Sequence, residues 1–383
     1  MIKSLTRKAP GIAPLFIVGL ILLTTYGSPF KNVLSKDAPT FFATDAPTAV
    51  ATESALAPDE QEVTFKSGDD TLYGTLLIPS NAKSPMPATL LLSGSGPTDR
   101  DGNTPLIAGK VDSQKNFARV LANAGVASLR YDKLASGKTG IGSYAQRIND
   151  IGFELYVQEA ISGFNFLRSR PEVDPAHMLI LGHSEGGLIA LVAADRLKAD
   201  GPRALILAAP LSRPYLDTVR EQITVQYTAA VKAKQVTQKD ADTSLAELDT
   251  IIKSVLTEAK LPAKIDPPYN QLFNISTVKF LSEAGKYDPA QIAAHLSPLI
   301  TVLVMCGEKD VQVLCSDVTH LMTGFTRAGN QNASFHQLAN VIHVFKEVKG
   351  VPNPNVLIDY ADPSKPFSKE AAQLIADFVK THL

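Results

Sequence analysis

From residue 61 onward, the hydrophobic positions of this chain follow two alternating patterns. Short uninterrupted apolar runs, typical of buried parallel strands, alternate with longer stretches in which apolar residues recur every three to four positions. Alternating apolar residues at 63–65 and 72–79 predict an opening hairpin. The runs predict strands at 88–93, 126–131, 178–181, 204–209 and 299–305, with a last strand near 333–338, and the periodic stretches predict helices at 113–124, 148–168 and 369–381. This alternation predicts an α/β fold with a mostly parallel central sheet flanked by helices.

The strand–helix alternation stops between residues 212 and 286. Apolar residues there fall on helical faces, such as Leu216, Val219 and Ile223. We therefore predict an α-helical cap at 212–286, inserted after the sixth strand of a core made of 61–211 and 287–383.

The N-terminal residues have the pattern of a targeting segment. Lys3, Arg7 and Lys8 precede an apolar run at 12–23, as in a signal peptide or membrane anchor. We predict that 1–27 is such a segment and that 28–60, rich in Ala, Pro and Thr, is a flexible linker. The expected location is exported, periplasmic or secreted; an uncleaved N-terminal membrane anchor and a cytosolic protein are the alternatives.

Charge and composition exclude several functions. The 383 residues carry 37 basic and 38 acidic side chains, a net charge of −1, so nucleic acid is not an expected partner. No His/Cys cluster has metal-ligand spacing, and no metal or cofactor is expected. The stretch 136–139 ends like a phosphate-binding loop, but Asp132 stands where that loop needs glycine.

The strongest chemical motif follows the apolar run 178–181. Gly182-His183-Ser184-Glu185-Gly186 connects this predicted strand to an alanine-rich predicted helix. A Gly-x-Ser-x-Gly turn between strand and helix is a nucleophile elbow, which holds the serine hydroxyl at its tip. We predict Ser184 as the nucleophile.

A serine nucleophile needs a base and a carboxylate, here expected in the order Ser, acid, His. His343 follows the last predicted strand at the edge where the serine emerges, so we predict it as the base. Asp310 follows the strand ending near Met305, and we predict it as the acid, with Glu308 and Asp317 as alternatives.

An acyl-transfer site also needs amide donors for the oxyanion. The backbone N–H of Glu185, directly after the nucleophile, is one predicted donor. The backbone N–H of Ser95, in a glycine-rich turn after the strand 88–93, is the other. Beyond it, the charged residues at 99–101 have two interpretations: a metal or substrate site, or a loop stiffened by internal salt bridges.

These motifs together resemble the α/β-hydrolase superfamily, in particular its serine esterase and serine aminopeptidase-like branch. The resemblance rests on the motifs Ser-Gly-Ser-Gly-Pro-Thr-Asp-Arg-Asp-Gly at 93–102, Arg-Tyr-Asp-Lys at 130–133, Gly-His-Ser-Glu-Gly-Gly at 182–187, Gly-Glu-Lys-Asp at 307–310 and Ile-His at 342–343. It implies the α/β-hydrolase fold and a serine hydrolase acting on a small-molecule acyl ester through an acyl-enzyme. We expect the cap at 212–286 to form the pocket for the acyl or leaving group. A serine peptidase or aminopeptidase, a thioesterase and a catalytically inactive binding module are the alternatives.

The two cysteines, Cys306 and Cys315, flank the predicted acid Asp310. In an exported protein an oxidised pair would close a small loop and hold the acid turn in place. Two buried free thiols are the alternative.

Overall fold

The computed structural model describes residues 59–80, 82–265, 267, 269–353 and 355–383. The predicted leader at 1–27 and nearly all of the predicted linker at 28–60 lie outside this part of the chain. Within it, none of the helices combines the length and the apolar character that crossing a membrane requires.

Eight strands form one sheet in the order β1-β2-β4-β3-β5-β6-β7-β8. The strands are β1 Glu60–Ser67, β2 Asp70–Leu77, β3 Met86–Leu92, β4 Ala127–Tyr131, β5 Val173–His183, β6 Ala204–Ala208, β7 Thr301–Gly307 and β8 Ala333–Leu338. The β2 strand is antiparallel to both β1 and β4, and all other pairs are parallel. This architecture confirms the predicted mostly parallel sheet.

Ten α-helices accompany the sheet in the described residues. They are α1 Ser113–Asn123, α2 Phe153–Arg168, α3 Glu185–Leu197, α4 Tyr215–Lys232, α5 Gln238–Glu258, α6 Val278–Ala284, α7 Pro289–His295, α8 Cys315–Arg327, α9 Val356–Ala361 and α10 Lys369–His382. The α2 helix begins five residues after its predicted start, because a 3-10 turn at Ile148–Asp150 and the extended Gly152 precede it. The periodicity did not predict α9, which has only six residues.

Side chains from the central strands alternate between two apolar layers. Leu90 and Ile180 pack into the layer that includes residues of α2, α3 and α8, whereas Leu91 and Leu181 pack into the layer formed with α1 and α10. Burial on both sides explains why these strands read as continuous apolar runs. The sheet places the carboxyl ends of β3, β5, β7 and β8 along one edge, where the predicted site residues follow.

Four helices, α4 to α7, lie between β6 and β7. Tyr215 of α4 and Phe280 of α6 meet edge to face with centroids 5.6 Å apart, and Phe280 also contacts Phe153 and Tyr156 of α2. This aromatic cluster anchors the segment to the α2 layer. The last of the four helices, α7, lies beyond the predicted end at residue 286.

Candidate active site

Ser184 occupies the turn between β5 and α3 with φ 58° and ψ −123°. A non-glycine residue at positive φ is costly unless its surroundings enforce the conformation. Here the Ser184 N–H donates to the Ala208 carbonyl at 2.9 Å, and the Ser184 carbonyl accepts from Gly187 N at 2.9 Å. The turn is therefore held from β6 and from the first turn of α3, and it has the backbone of a nucleophile elbow.

The two motif glycines are required by close backbone contacts. A Cβ atom on Gly182 would lie 2.2 Å from the Gly186 carbonyl oxygen, and one on Gly186 would lie 2.4 Å from the Leu92 carbonyl oxygen. A side chain at Gly182 would force the two ends of the turn apart, and one at Gly186 would push the turn away from the end of β3. The spacing Gly-x-Ser-x-Gly thus has a steric cause in this structure.

Asp310 and His343, 33 residues apart, meet at the edge of the sheet. His343 Nδ1 lies 2.7 Å from Asp310 Oδ2, and both side chains are buried. The second carboxylate oxygen, Oδ1, accepts from the N–H groups of Gln312 and Val313 at 2.8 and 3.1 Å. Because a carboxylate only accepts, His343 carries its proton on Nδ1, which leaves Nε2 as an acceptor.

The alternative acids are placed elsewhere. Glu308 is exposed, and its Oε2 accepts from Asn340 N at 3.3 Å. Asp317 lies in α8 and pairs with Arg213 at 3.6 Å. Of the three predicted candidates, the structure brings Asp310 to His343.

His183, the residue before Ser184 in the motif, contacts His343, the predicted base. His183 Nε2 lies 2.9 Å from the backbone carbonyl oxygen of His343, and the two rings have centroids 4.8 Å apart. Because a carbonyl only accepts, Nε2 is the donor and carries a proton. Burial, with a smaller contribution from His343, lowers the pKa of His183 to about 3, so this ring is neutral.

Ser184 and His343 both line one cavity of about 60 Å³. Its other walls are Gly94, Ser95, Thr98, Gly102, Thr104, Ile107, Val111, Ser113, His183, Gln312, Val344 and Tyr360. The Ser184 hydroxyl forms no hydrogen bond within the described part of the chain, and in unliganded sites such bonds are often long and tighten when substrate binds.

These walls differ from the expected ones. The cap was expected to form the substrate pocket, but no residue of 212–286 in the described chain lines this cavity. The loop after β3 and the segments around His343 and Tyr360 form it instead. Of the helices between β6 and β7, α6 packs against α2, whereas α7 packs against α3 and α8. From α4, Tyr215 OH donates to Glu185 Oε2 at 3.1 Å, and Gln222 Nε2 donates to the Gln312 carbonyl oxygen at 2.6 Å.

The segments that carry the two predicted oxyanion donors both border Ser184. A Cβ atom on Gly94 would lie 3.2 Å from Ser184 Cβ, so the Gly94–Ser95 peptide borders the nucleophile. Glu185 is the first residue of α3, and its N–H belongs to the helix N-terminus. Helix N-termini favour negative charge, as an oxyanion site requires.

The charged loop residues pair differently from either interpretation. Arg100 binds Asp132 at 2.7 Å, and Asp101 binds Arg130 at 2.8 Å. The salt bridges therefore tie the loop to the end of β4 rather than closing within the loop, because the β3–β4 pairing brings these segments side by side.

Cys306 at the end of β7 and Cys315 at the start of α8 form a disulfide, with Cα atoms 5.6 Å apart. The bond encloses the segment that carries Asp310. Cys315 Sγ also lies 3.2 Å from the Gly307 carbonyl oxygen.

Several residues at this site had no signal in the hydrophobic pattern. The Tyr360 ring stacks against the His343 ring, with an angle of 28° between the planes. The Tyr360 hydroxyl accepts from Gln312 Nε2 at 2.6 Å. Lys133 reaches the loop after β3 from the end of β4. Lys133 and His183 each had one cue, their positions within the motifs at 130–133 and 182–187.

Comparison with known protein families gives one match over most of the chain. The family described as "Serine aminopeptidase, S33" matches residues 108–345. This range contains Ser184, Asp310 and His343, whereas Ser95 lies before it.

Among curated proteins, this chain is similar to the esterase EstD of Thermotoga maritima. The two are 27% identical over 259 residues, which cover 68% of this chain and 54% of EstD. The chain thus spans about half the length of this relative.

Solved structures share the fold at low sequence identity. A Pyrococcus furiosus esterase superimposes with a TM-score of 0.53 at 15% identity, covering 84% of this chain and 90% of the esterase. The α/β hydrolase GrgF of Penicillium sp. sh18 gives a TM-score of 0.50 at 16% identity, covering 84% of this chain and 98% of GrgF. These matches confirm the predicted α/β-hydrolase fold.

Proposed function

Because this chain belongs to the serine aminopeptidase S33 family of α/β-hydrolases, we propose that it is a serine hydrolase that cleaves carboxylic esters. The observation that carries this proposal is the 2.7 Å contact between His343 Nδ1 and Asp310 Oδ2 beside a serine on a strained elbow. Similarity to the esterase EstD supports the choice of ester substrates.

In the proposed reaction, Nε2 of His343 removes the Ser184 proton as the hydroxyl oxygen attacks the ester carbonyl. The N–H groups of Ser95 and Glu185 stabilise the resulting oxyanion. His343 then protonates the leaving alcohol, which leaves an acyl-enzyme. His343 next removes a proton from a water molecule that attacks the acyl group, and it returns the proton to Ser184 as the acid is released. Asp310 orients the imidazole and stabilises its charged form, and no metal or cofactor takes part.

The chemistry of the cavity walls favours an ester over an aminoacyl substrate. An aminopeptidase needs a carboxylate near the reacting carbonyl to bind the substrate ammonium group. The described residues that line the cavity include no Asp or Glu, and Ile107, Val111, Val344 and Tyr360 make one side of it apolar. This supports a neutral acyl group as the bound part of the substrate.

A fluorophosphonate probe tests the proposed nucleophile. We expect the wild-type protein to be labelled and Ser184→Ala to be unlabelled. Ser212→Ala is a matched control, since Ser212 is a buried serine whose hydroxyl donates to the Pro210 carbonyl at 3.0 Å and which does not line the cavity. Labelling that survives in Ser184→Ala would overturn the proposal.

A substrate panel tests the ester specificity. We expect p-nitrophenyl esters to be hydrolysed with a kcat/KM at least 100-fold above that for aminoacyl p-nitroanilides. A preference for the anilides would assign the peptidase activity instead, and Ser184→Ala should abolish either one.

We further propose that the chain is exported and that 1–27 acts as its leader. The charged residues Lys3, Arg7 and Lys8 before an apolar run support this. Mass measurement of the protein isolated from its native cells tests it: a mature N-terminus near residue 28 is expected, and an intact N-terminus would favour an anchor.

A further inference from the structure

Lys133 is a buried lysine at the end of β4 that the proposed reaction does not use. Its Nζ atom donates to the Gly94 carbonyl oxygen at 2.6 Å. The same atom lies 3.6 Å from Glu185 Oε1, and the two side chains are 6% and 2% exposed. One ammonium group therefore contacts both residues that border Ser184 on its oxyanion side.

The surroundings leave Lys133 little freedom to adopt another position. Its Nζ atom lies 5.2 Å from the centre of the Tyr156 ring. Tyr215 OH donates to Glu185 Oε2 at 3.1 Å, which fixes the carboxylate that Lys133 meets. The next residue, Leu134, donates its N–H to the buried Glu159 at 3.1 Å.

The hydrogen bond to Gly94 determines the orientation of one peptide group. A trans peptide is planar, and its C=O and N–H point in opposite directions. Because Lys133 fixes the Gly94 carbonyl on one side, the N–H of Ser95 must point to the other. Gly94 and Ser95 both line the cavity that contains Ser184.

The second contact of Lys133 involves the other donor residue. The N–H of Glu185 begins α3, while its side chain binds Lys133 and Tyr215. The loop after β3 and the N-terminus of α3 are thus connected through a single ammonium group. Movement of either one would break a polar contact between buried groups, which is costly.

We propose that Lys133 is a positioning residue that holds the amides of Ser95 and Glu185 in the geometry of an oxyanion hole. This inference rests on the proposed serine hydrolase function. It assigns to Lys133 no contact with substrate; its effect passes through the Gly94–Ser95 peptide and the Glu185 side chain.

The amino group of Lys133 can hold the Gly94 carbonyl whether Lys133 or Glu185 carries the shared proton. Burial lowers the pKa of Lys133 and raises the pKa of Glu185. Nζ carries hydrogen atoms both as an ammonium and as an amine, so it donates to the Gly94 carbonyl in both states.

The decisive measurement is affinity for an analogue that forms an oxyanion. A trifluoromethyl ketone adds to the serine and places its oxyanion among the amide donors, whereas the corresponding alcohol does not. Removing a single oxyanion donor costs 10²–10³ in kcat in known enzymes. For Lys133→Met we expect kcat to fall about 10–100-fold, Ki for the ketone to rise by a similar factor, and Ki for the alcohol to change less than about threefold.

A double variant and a matched buried salt bridge serve as controls for effects on folding. Lys133→Met/Glu185→Gln leaves no unpaired buried charge and is expected to show the same rise in ketone Ki. Glu60→Gln alters a salt bridge of similar burial, Glu60–Arg130 at 2.7 Å, with side chains 4% and 2% exposed, and should leave both Ki values unchanged. Inhibition constants do not depend on the fraction of folded protein.

The outcomes separate this inference from the proposed function. Equal losses of affinity for ketone and alcohol, or unchanged Ki values in both Lys133 variants, would overturn the positioning role while Ser184 remains the nucleophile. If Ser184→Ala still reacts with the probe, the proposed function fails and this inference fails with it.

Discussion

His183 Nε2 donates a 2.9 Å hydrogen bond to the backbone carbonyl of His343, 160 residues further along the chain. The residue before the proposed nucleophile thus holds the loop of the proposed base. Since the imidazole of His343 is also bound by Asp310 at 2.7 Å, the backbone and the ring of this histidine are fixed separately.

Replacing His183 should impair catalysis without changing the reacting groups. His183→Phe keeps an aromatic ring at this position but removes the N–H donor. The His343 carbonyl then loses its hydrogen bond from residue 183, which lowers the free energy of unfolding by about 1–3 kcal/mol. We expect kcat for p-nitrophenyl esters to fall roughly 10-fold as the loop relaxes. His177→Phe, which removes a half-exposed histidine paired with Asp174, should retain wild-type kcat, and equal kcat values in both variants would contradict the prediction.

Stability should depend on His183 at acidic pH. Burial lowers its pKa to about 3, whereas in the unfolded chain it is about 6.5. Between these values the unfolded state binds more protons, so the free energy of unfolding falls as the pH falls. Urea unfolding at pH 4–7 should show a steeper decline for wild type than for His183→Phe, by at most about 1.4 kcal/mol per pH unit. Parallel curves would refute the assignment.

Loss of the carboxylate at Asp310 should be severe. Asp310→Asn keeps the shape of the side chain but disturbs the tautomer of His343, and in a known triad such a change lowers kcat about 10⁴-fold. We expect a decrease of roughly 10³–10⁴-fold with little change in KM. Glu308→Gln is the matched control, since this exposed neighbour faces Asn340 instead; a comparable loss in that variant would reassign the acid.

The apolar wall of the cavity should limit acyl chain length. The cavity measures about 60 Å³ and is bordered by Ile107. We expect kcat/KM to be highest for p-nitrophenyl acetate to butyrate and to fall at least 10-fold by octanoate. Ile107→Ala should move the optimum about two carbons longer, because it removes side-chain volume from the wall; an unchanged profile would place the acyl group elsewhere.

The disulfide should stabilise the folded state. The bond between Cys306 and Cys315 closes a short loop, for which chain entropy gives about 2–3 kcal/mol. Urea unfolding of Cys306→Ala/Cys315→Ala should show a loss of this size. Dithiothreitol should lower the free energy of unfolding of the wild type and leave that of the double variant unchanged. An unchanged wild-type value would exclude a stabilising contribution from the disulfide.

Local sequence patterns predicted the elements well where burial is uniform. The apolar run 178–181 lies inside β5, and the run 204–209 matches the fully buried β6 Ala204–Ala208 to within one residue. The sequence pattern predicted element boundaries less well where backbone geometry sets them. The α2 helix begins after its predicted start because a turn precedes it, and the sheet begins at Glu60, one residue inside the predicted linker. The division into core, cap and linker stays a prediction.

The walls of the site could not be predicted in the same way. Tyr360 belongs to a six-residue helix that shows no periodicity, and its approach to His343 depends on how the chain folds back after β8. The helices at 215–295 carried apolar faces, but only packing determined their partners. Phe280 of α6 contacts Phe153 and Tyr156 of α2, whereas α7 lies against α3 and α8.

The sequence by itself determined the parallel sheet, the elbow at Ser184 and the chain order of Ser184, Asp310 and His343. These follow from short-range rules: apolar runs form buried strands, and loops after parallel strands meet at one edge. Only the tertiary structure decided that Lys133 binds Gly94, 39 residues away, and that His183 holds the carbonyl of His343. Such contacts depend on strand register and loop path, which are properties of the whole chain.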